Sequence, residues 1–121
     1  MTSRQGPTFP RRGQVYDVGF DPVVGSEIGK RRPSVVVSND LNNRFAGTVT
    51  VVPLTGAPAR RSYPFEVRLP KGTAGLTRDS RAKCDQVRTV DKRRVFTLRG
   101  ELTEQYTALV DRSLKVHLAL P

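Results

Sequence analysis

The sequence predicts a mainly β domain of the α+β kind, a compact barrel or sandwich carrying a C-terminal amphipathic helix. Two observations predict it. Short β-branched or alternating runs are separated by glycine- and proline-rich stretches through residues 14–87, and apolar residues recur at helical spacing from Thr103 onward. The length, 121 residues, suits one domain with a hydrophobic core of its own.

Residues 1–11 read as a flexible arm, because Gly6, Pro7 and Pro10 break any period, and 12–121 form the domain. From Gln14 to Phe20 the pattern alternates, with Tyr16, Val18 and Phe20 on one face and Asp17 on the other, as in a half-buried strand. Asp21 to Pro33, glycine-rich and bounded by prolines, is a long loop. Ser34 to Ser38 is a β-branched run that reads as a buried strand, and Asn39 to Gly47 is a turn or short helix. A second β-branched strand covers Thr48 to Leu54, where Pro53 marks an edge or the strand's end, since proline cannot donate to a ladder. Residues 56–64 form a loop carrying Arg60 and Arg61, Phe65 to Leu69 alternates again, and Arg81 to Val87 is a further strand. Thr103 serves as an N-cap, and Tyr106, Leu109, Val110, Leu114 and Leu118 make 103–119 an amphipathic helix that packs over the barrel.

The net charge is +10, and its placement points to a ligand. Residues 31–100 carry fifteen positive and five negative side chains, so this stretch alone accounts for the excess. A field concentrated in that way attracts a polyanion, with nucleic acid as the first candidate and a merely solvated basic surface as the alternative. No apolar run is long enough to span a bilayer, and the polar N-terminus lacks the apolar core of a secretory signal, so a cytoplasmic protein without a membrane partner is expected. Cys84 is the only cysteine, which excludes an internal disulfide and a thiolate cluster for zinc.

His117 is the sole histidine, so a two-histidine acid–base pair cannot be built; it falls near the apolar face of the helix and reads as packed or at an interface. No His/Cys/carboxylate set has metal-ligand spacing, so neither metal nor cofactor is expected. Arginine, lysine, hydroxyl and carboxylate chemistry remains. Arg32 precedes Pro33, which pushes it into extended backbone at the mouth of the strand from Ser34. A guanidinium there offers paired planar donors to phosphate oxygens, although a plain surface arginine fits the spacing equally well. Thr55 ends the second β-branched run and can project its hydroxyl toward the same mouth, or be structural only.

Arg12-Gly13-Gln14-Val15-Tyr16, then Asp21 to Glu27, then Arg32-Pro33 with Val35 to Val37 and Asn39-Asp40, resemble the opening of the MazF/PemK family of toxin endoribonucleases. Val52-Pro53-Leu54-Thr55 and Cys84 to Asp91 match its later pattern, so the resemblance spans about residues 11–120. It implies a small SH3-like barrel with a C-terminal helix, a homodimer, and sequence-selective cutting of single-stranded RNA. It also implies a cognate antitoxin, expected to be acidic and partly disordered, of the MazE type. Carried over by motif, Arg32 and Thr55 are the expected catalytic residues. Lys83 stands where part of the family has an arginine, Asp85 matches the aspartate after the cysteine, and Ser26 replaces a histidine found in some members. Glu27, Lys83, Asp85 and Gln86 are further candidates for catalysis or RNA contact, the general base being open between Glu27 and Asp85. Arg31, Arg44, Phe45, Arg60, Arg61 and Arg88 are expected to bind RNA, and Tyr63 can stack a base or pack locally. The expected reaction is metal-independent attack of the ribose 2′-hydroxyl on the adjacent phosphate, giving a 2′,3′-cyclic phosphate. A same-fold toxin that poisons a DNA topoisomerase and a non-catalytic RNA-binding module are the rival readings.

Overall fold

The computed structural model describes residues 9–56 and 63–121. Seven strands and two helices follow in the order β1 (Gln14–Gly19), β2 (Arg31–Val36), α1 (Asp40–Phe45), β3 (Thr48–Gly56), β4 (Glu66–Leu69), β5 (Ser80–Lys83), β6 (Arg88–Asp91), β7 (Val95–Glu101) and α2 (Glu104–Leu118). All pairings are antiparallel, in the order β4-β5-β3-β2-β1-β7 with β6 also on β3. β4 and β7 do not pair with each other, so the sheet curls without closing.

The central strands are buried on both faces, which is why they read as continuous β-branched runs. Val15, Val35, Val52 and Leu54 join Val67, Leu69, Ala82 and Cys84 in one cluster, and Val110 of α2 covers it with Tyr106 and Leu114. Val18, Phe20, Val36, Val49, Val51 and Val90 form the second cluster, flanked by Tyr16, Ile28 and Val95. The Tyr16, Val18, Phe20 face therefore holds, with Val15 turned to the other core. Asn39 caps α1 by accepting from the Asn42 N–H at 2.8 Å. Thr103 caps α2 by accepting from the Tyr106 N–H, as its sequence position predicts.

Both prolines sit inside strands, contrary to the expected boundaries. β2 begins at Arg31 rather than Ser34, and Pro33 is tolerated because β3 pairs only from Ser34 on, leaving no ladder bond for its missing N–H. β3 runs through Pro53 to Gly56. Its outer edge passes from β6, which pairs Thr48–Val51, to β5, which pairs Leu54–Gly56, and Pro53 falls in the gap between them. The strand expected over Arg81–Val87 ends at Lys83, and Cys84–Gln86 form a 3₁₀ turn across that gap. β6 and β7 were not expected at all: β6 is four residues long, and β7 is mostly exposed.

His117 lies in the last turn of α2 and is exposed in the single chain rather than packed, with its ring 6.5 Å from that of Phe65. Of the expected apolar face of α2, Leu109 and Leu118 also remain exposed, at 37% and 50%. The arm reading falls, for residues 1–8, outside the described residues. Phe9 and Pro10 are half-buried, and the Arg12 guanidinium bonds the Val37 carbonyl and the Asp111 carboxylate. No helix among the described residues is long and apolar enough to cross a membrane.

Candidate active site

Continuing the Ser34↔Pro53 register by two residues brings Arg32 level with Thr55, on the face that also carries Val36 and Val51. The two side chains singled out from sequence therefore share one end of one sheet face. Arg32 is half-buried and its Nε donates to the Gly29 carbonyl at 2.8 Å, which anchors one edge of the fork. Among the described residues, neither its Nη groups nor the Thr55 hydroxyl has a hydrogen-bond partner. That leaves a planar pair of donors and a hydroxyl for a ligand oxygen.

The loop over residues 20–30 is built to hold this end of β2. Phe20 N–H donates to the Lys30 carbonyl at 2.9 Å and closes the loop, and Lys30 N–H donates to Asp21 at 2.9 Å. Ile28 N–H donates to the Gln86 side chain at 3.2 Å, so Gln86 ties the Cys84–Gln86 turn to the segment that anchors Arg32. Glu27 is exposed, and its carboxylate accepts from the Val24 N–H at 2.7 Å.

β5 extends the same face. Thr55 pairs with Arg81, Lys83 lies two residues further along, and β4 sets Glu66 opposite Lys83. Lys83 Nζ is 2.7 Å from Glu66 Oε2 and 3.9 Å from Asp85 Oδ1, an oxygen that is buried and accepts no hydrogen bond among the described residues. Arg81 Nη1 lies 3.1 Å from Glu66 Oε1. Burial pushes the Glu66 carboxyl up, but the Lys83 hydrogen bond and charge, a Tyr63 backbone hydrogen bond and the Arg81 charge outweigh it and hold it below the usual range. Neither Glu66 nor Arg81 was found from sequence. Their meeting depends on the β4–β5 register, and no spacing rule reveals it.

Cys84, the first residue of Cys-Asp-Gln, is a core residue. Its thiol donates to the Val110 carbonyl at 3.9 Å and pins the turn under α2. Burial first, then the charges of Asp85, Glu66 and Asp111, push it up to about 12, so it is no nucleophile.

The remaining candidates are spread out. Arg88 Nη1 donates to the Phe20 carbonyl at 3.1 Å and supports the loop's start, and Arg31 lies over the Phe96 ring at 3.8 Å. Arg44 and Phe45 follow the opposite end of β2 from Arg32, which lies roughly 13 Å from it along the strand. Phe45 is 72% exposed there, with Arg44 over its ring. Tyr63 stacks on Phe65 with centroids 5.2 Å apart. Arg60 and Arg61 lie outside the described residues.

Comparison with known proteins points one way. Residues 11–118 match the model of a family described as PemK-like, MazF-like toxins of type II toxin–antitoxin systems. The chain is 41% identical over 115 residues to endoribonuclease MazF9 of Mycobacterium tuberculosis, covering 91% of this chain and 97% of that one. The crystal structure of MazF from Deinococcus radiodurans superposes with a TM-score of 0.79 at 30% identity, over 93% of this chain and 98% of the other. A mycobacterial endoribonuclease in complex with its cognate antitoxin gives 0.74 at 28% identity, over 93% and 97%.

Proposed function

The chain belongs to the family of PemK-like, MazF-like toxins of type II toxin–antitoxin systems, and from that premise we propose that it is a cytoplasmic toxin endoribonuclease that cuts single-stranded mRNA at a short sequence without a metal ion. The observation that carries the reading is that the β2–β3 register, continued past Ser34↔Pro53, puts Arg32 and Thr55 at the same end of one sheet face. The 2′-hydroxyl of one ribose attacks the adjacent phosphorus, the 5′-oxygen of the next nucleotide leaves, and the products are a 2′,3′-cyclic phosphate and a 5′-hydroxyl. Arg32 stabilises the phosphorane through its Nη donors and supplies the leaving group's proton, and Thr55 orients a phosphate oxygen. Glu27 and Asp85 are the candidate bases: Glu27 is exposed and accepts from the Val24 N–H, and Asp85 lies beside Lys83.

A relative solved with its cognate antitoxin supports a similar partner here. An acidic, partly disordered antitoxin fits the +10 charge, and pairing of two copies accounts for the exposed Leu109 and Leu118. Incubation of the protein with single-stranded RNA in EDTA tests the reading. Wild type is expected to cut and Thr55→Ala, folded, to lose roughly tenfold or more of the rate; a rate that disappears with chelator and returns with Mg²⁺ contradicts it.

A further inference from the structure

Replacing a buried ion pair by well-packed apolar side chains is often neutral or stabilising, so a buried pair is not explained by stability alone. Glu66 and Arg81 are such a pair, with side chains 3% and 8% exposed. Glu66 uses its other oxygen on Lys83, whose side chain is 26% exposed and so reaches the surface. The three groups form a line from the interior to solvent: Arg81 neutralises Glu66, and Glu66 holds one N–H of the Lys83 ammonium. The register fixes where that line emerges. Arg81 pairs directly with Thr55 across β3 and β5, and Lys83 is two residues along on the same face. Asp85, at 3.9 Å, confines the ammonium from the other side.

An unbound lysine is a point charge on a flexible four-carbon stem, which gives attraction without placement. A lysine held at 2.7 Å by a carboxylate that is itself immobilised loses that freedom before any ligand arrives. We propose that Glu66 and Arg81 are positioning residues of the cleavage site, which aim the Lys83 ammonium at a phosphate of the RNA bound beside Thr55. The inference rests on the endoribonuclease reading above. The phosphate class is set by the ammonium, whose donors to Glu66 leave others for a ligand.

The experiment uses the whole protein and a short single-stranded RNA containing a cleavage site, with its 2′-deoxy analogue as a non-cleavable probe. Lys83→Ala is expected to lower kcat roughly tenfold or more and to reduce the salt slope of probe binding by about 0.7, one single-strand phosphate contact. Glu66→Gln leaves the lysine charged but unheld, so kcat falls by a similar factor while KM and the salt slope stay near wild type. The double variant is expected to be no slower than Lys83→Ala alone, because both act through one ammonium. If Glu66→Gln does not fold, Glu66→Gln with Arg81→Met replaces the ion pair by a neutral pair and is read in the same way.

A wild-type kcat in the folded Glu66 variant, or losses that multiply in the double variant, overturns the positioning role. Arg32→Ala is measured in parallel to separate the two claims. If it abolishes cutting while the Glu66 variant is unaffected, the inference alone fails; if Arg32→Ala cuts normally, the site and the inference fail together.

Discussion

Arg32 takes its setting from the proline that follows it. Extended backbone is favoured at position 32, the strand continues through Pro33, and the guanidinium is tied through Nε to the Gly29 carbonyl while its Nη groups have no hydrogen-bond partner among the described residues. Arg32→Lys should therefore lose most of the cleavage rate, on the order of 10²-fold, since a point charge does not reproduce paired donors; near-full activity in a folded Arg32→Lys protein removes it from the site. The strand placement of this residue and Thr55 was legible because proline and a β-branched run leave marks in the sequence. Glu66 and Arg81 were not, because pairing between β4 and β5 decides their contact. A second prediction concerns Cys84, whose folded thiol sits at about 12 against an ordinary 9.0. Between those values the unfolded chain releases a proton that the folded chain keeps, so stability falls as pH rises, by about 2 kcal/mol at pH 10.5. Urea titrations at pH 8 and 10.5 should show that drop in wild type and not in Cys84→Ala.

At the scale of elements, the half of the fold built from two-faced strands was readable and the half built from edges was not. β2 and β3 are buried on both sides, so their β-branched runs announce them, and β1 shows itself by its alternation. β7 lies at the sheet's edge with most of its side chains exposed, and its polar sequence carries no alternation strong enough to show it. The Cys84–Gln86 turn interrupts the strand expected over Arg81–Val87, and it falls where the outer edge of β3 has no partner at Pro53. The turn and the loop act together through the Gln86–Ile28 hydrogen bond. Gln86→Ala should free the loop that anchors Arg32 and lower kcat/KM several-fold, with less than about 1.5 kcal/mol lost from stability. Unfolding and cleavage measured on the same variant check this, and a loss of stability with unchanged kcat/KM makes the bond structural only.

For the whole molecule, charge and pairing are the properties to measure. Glu66 is held below the usual 4.5 in the folded chain, so its stabilisation is complete above that value and is lost as pH falls through the folded value. Thermal melts should therefore weaken below about pH 4.5 in wild type, with less slope in Glu66→Gln. The exposed Leu109 and Leu118 and the family both favour a dimer, and light scattering across a dilution series should give twice 13.4 kDa at micromolar concentration. The central claim is that this basic domain cuts RNA by internal attack of a ribose hydroxyl. Mass spectrometry of the fragments formed in EDTA tests it most directly. The account predicts upstream fragments ending in a 2′,3′-cyclic phosphate, lighter by one water than a linear phosphate, and downstream fragments beginning with a 5′-hydroxyl. Fragments that carry a 5′-phosphate and a 3′-hydroxyl, formed only when a divalent cation is present, would contradict it.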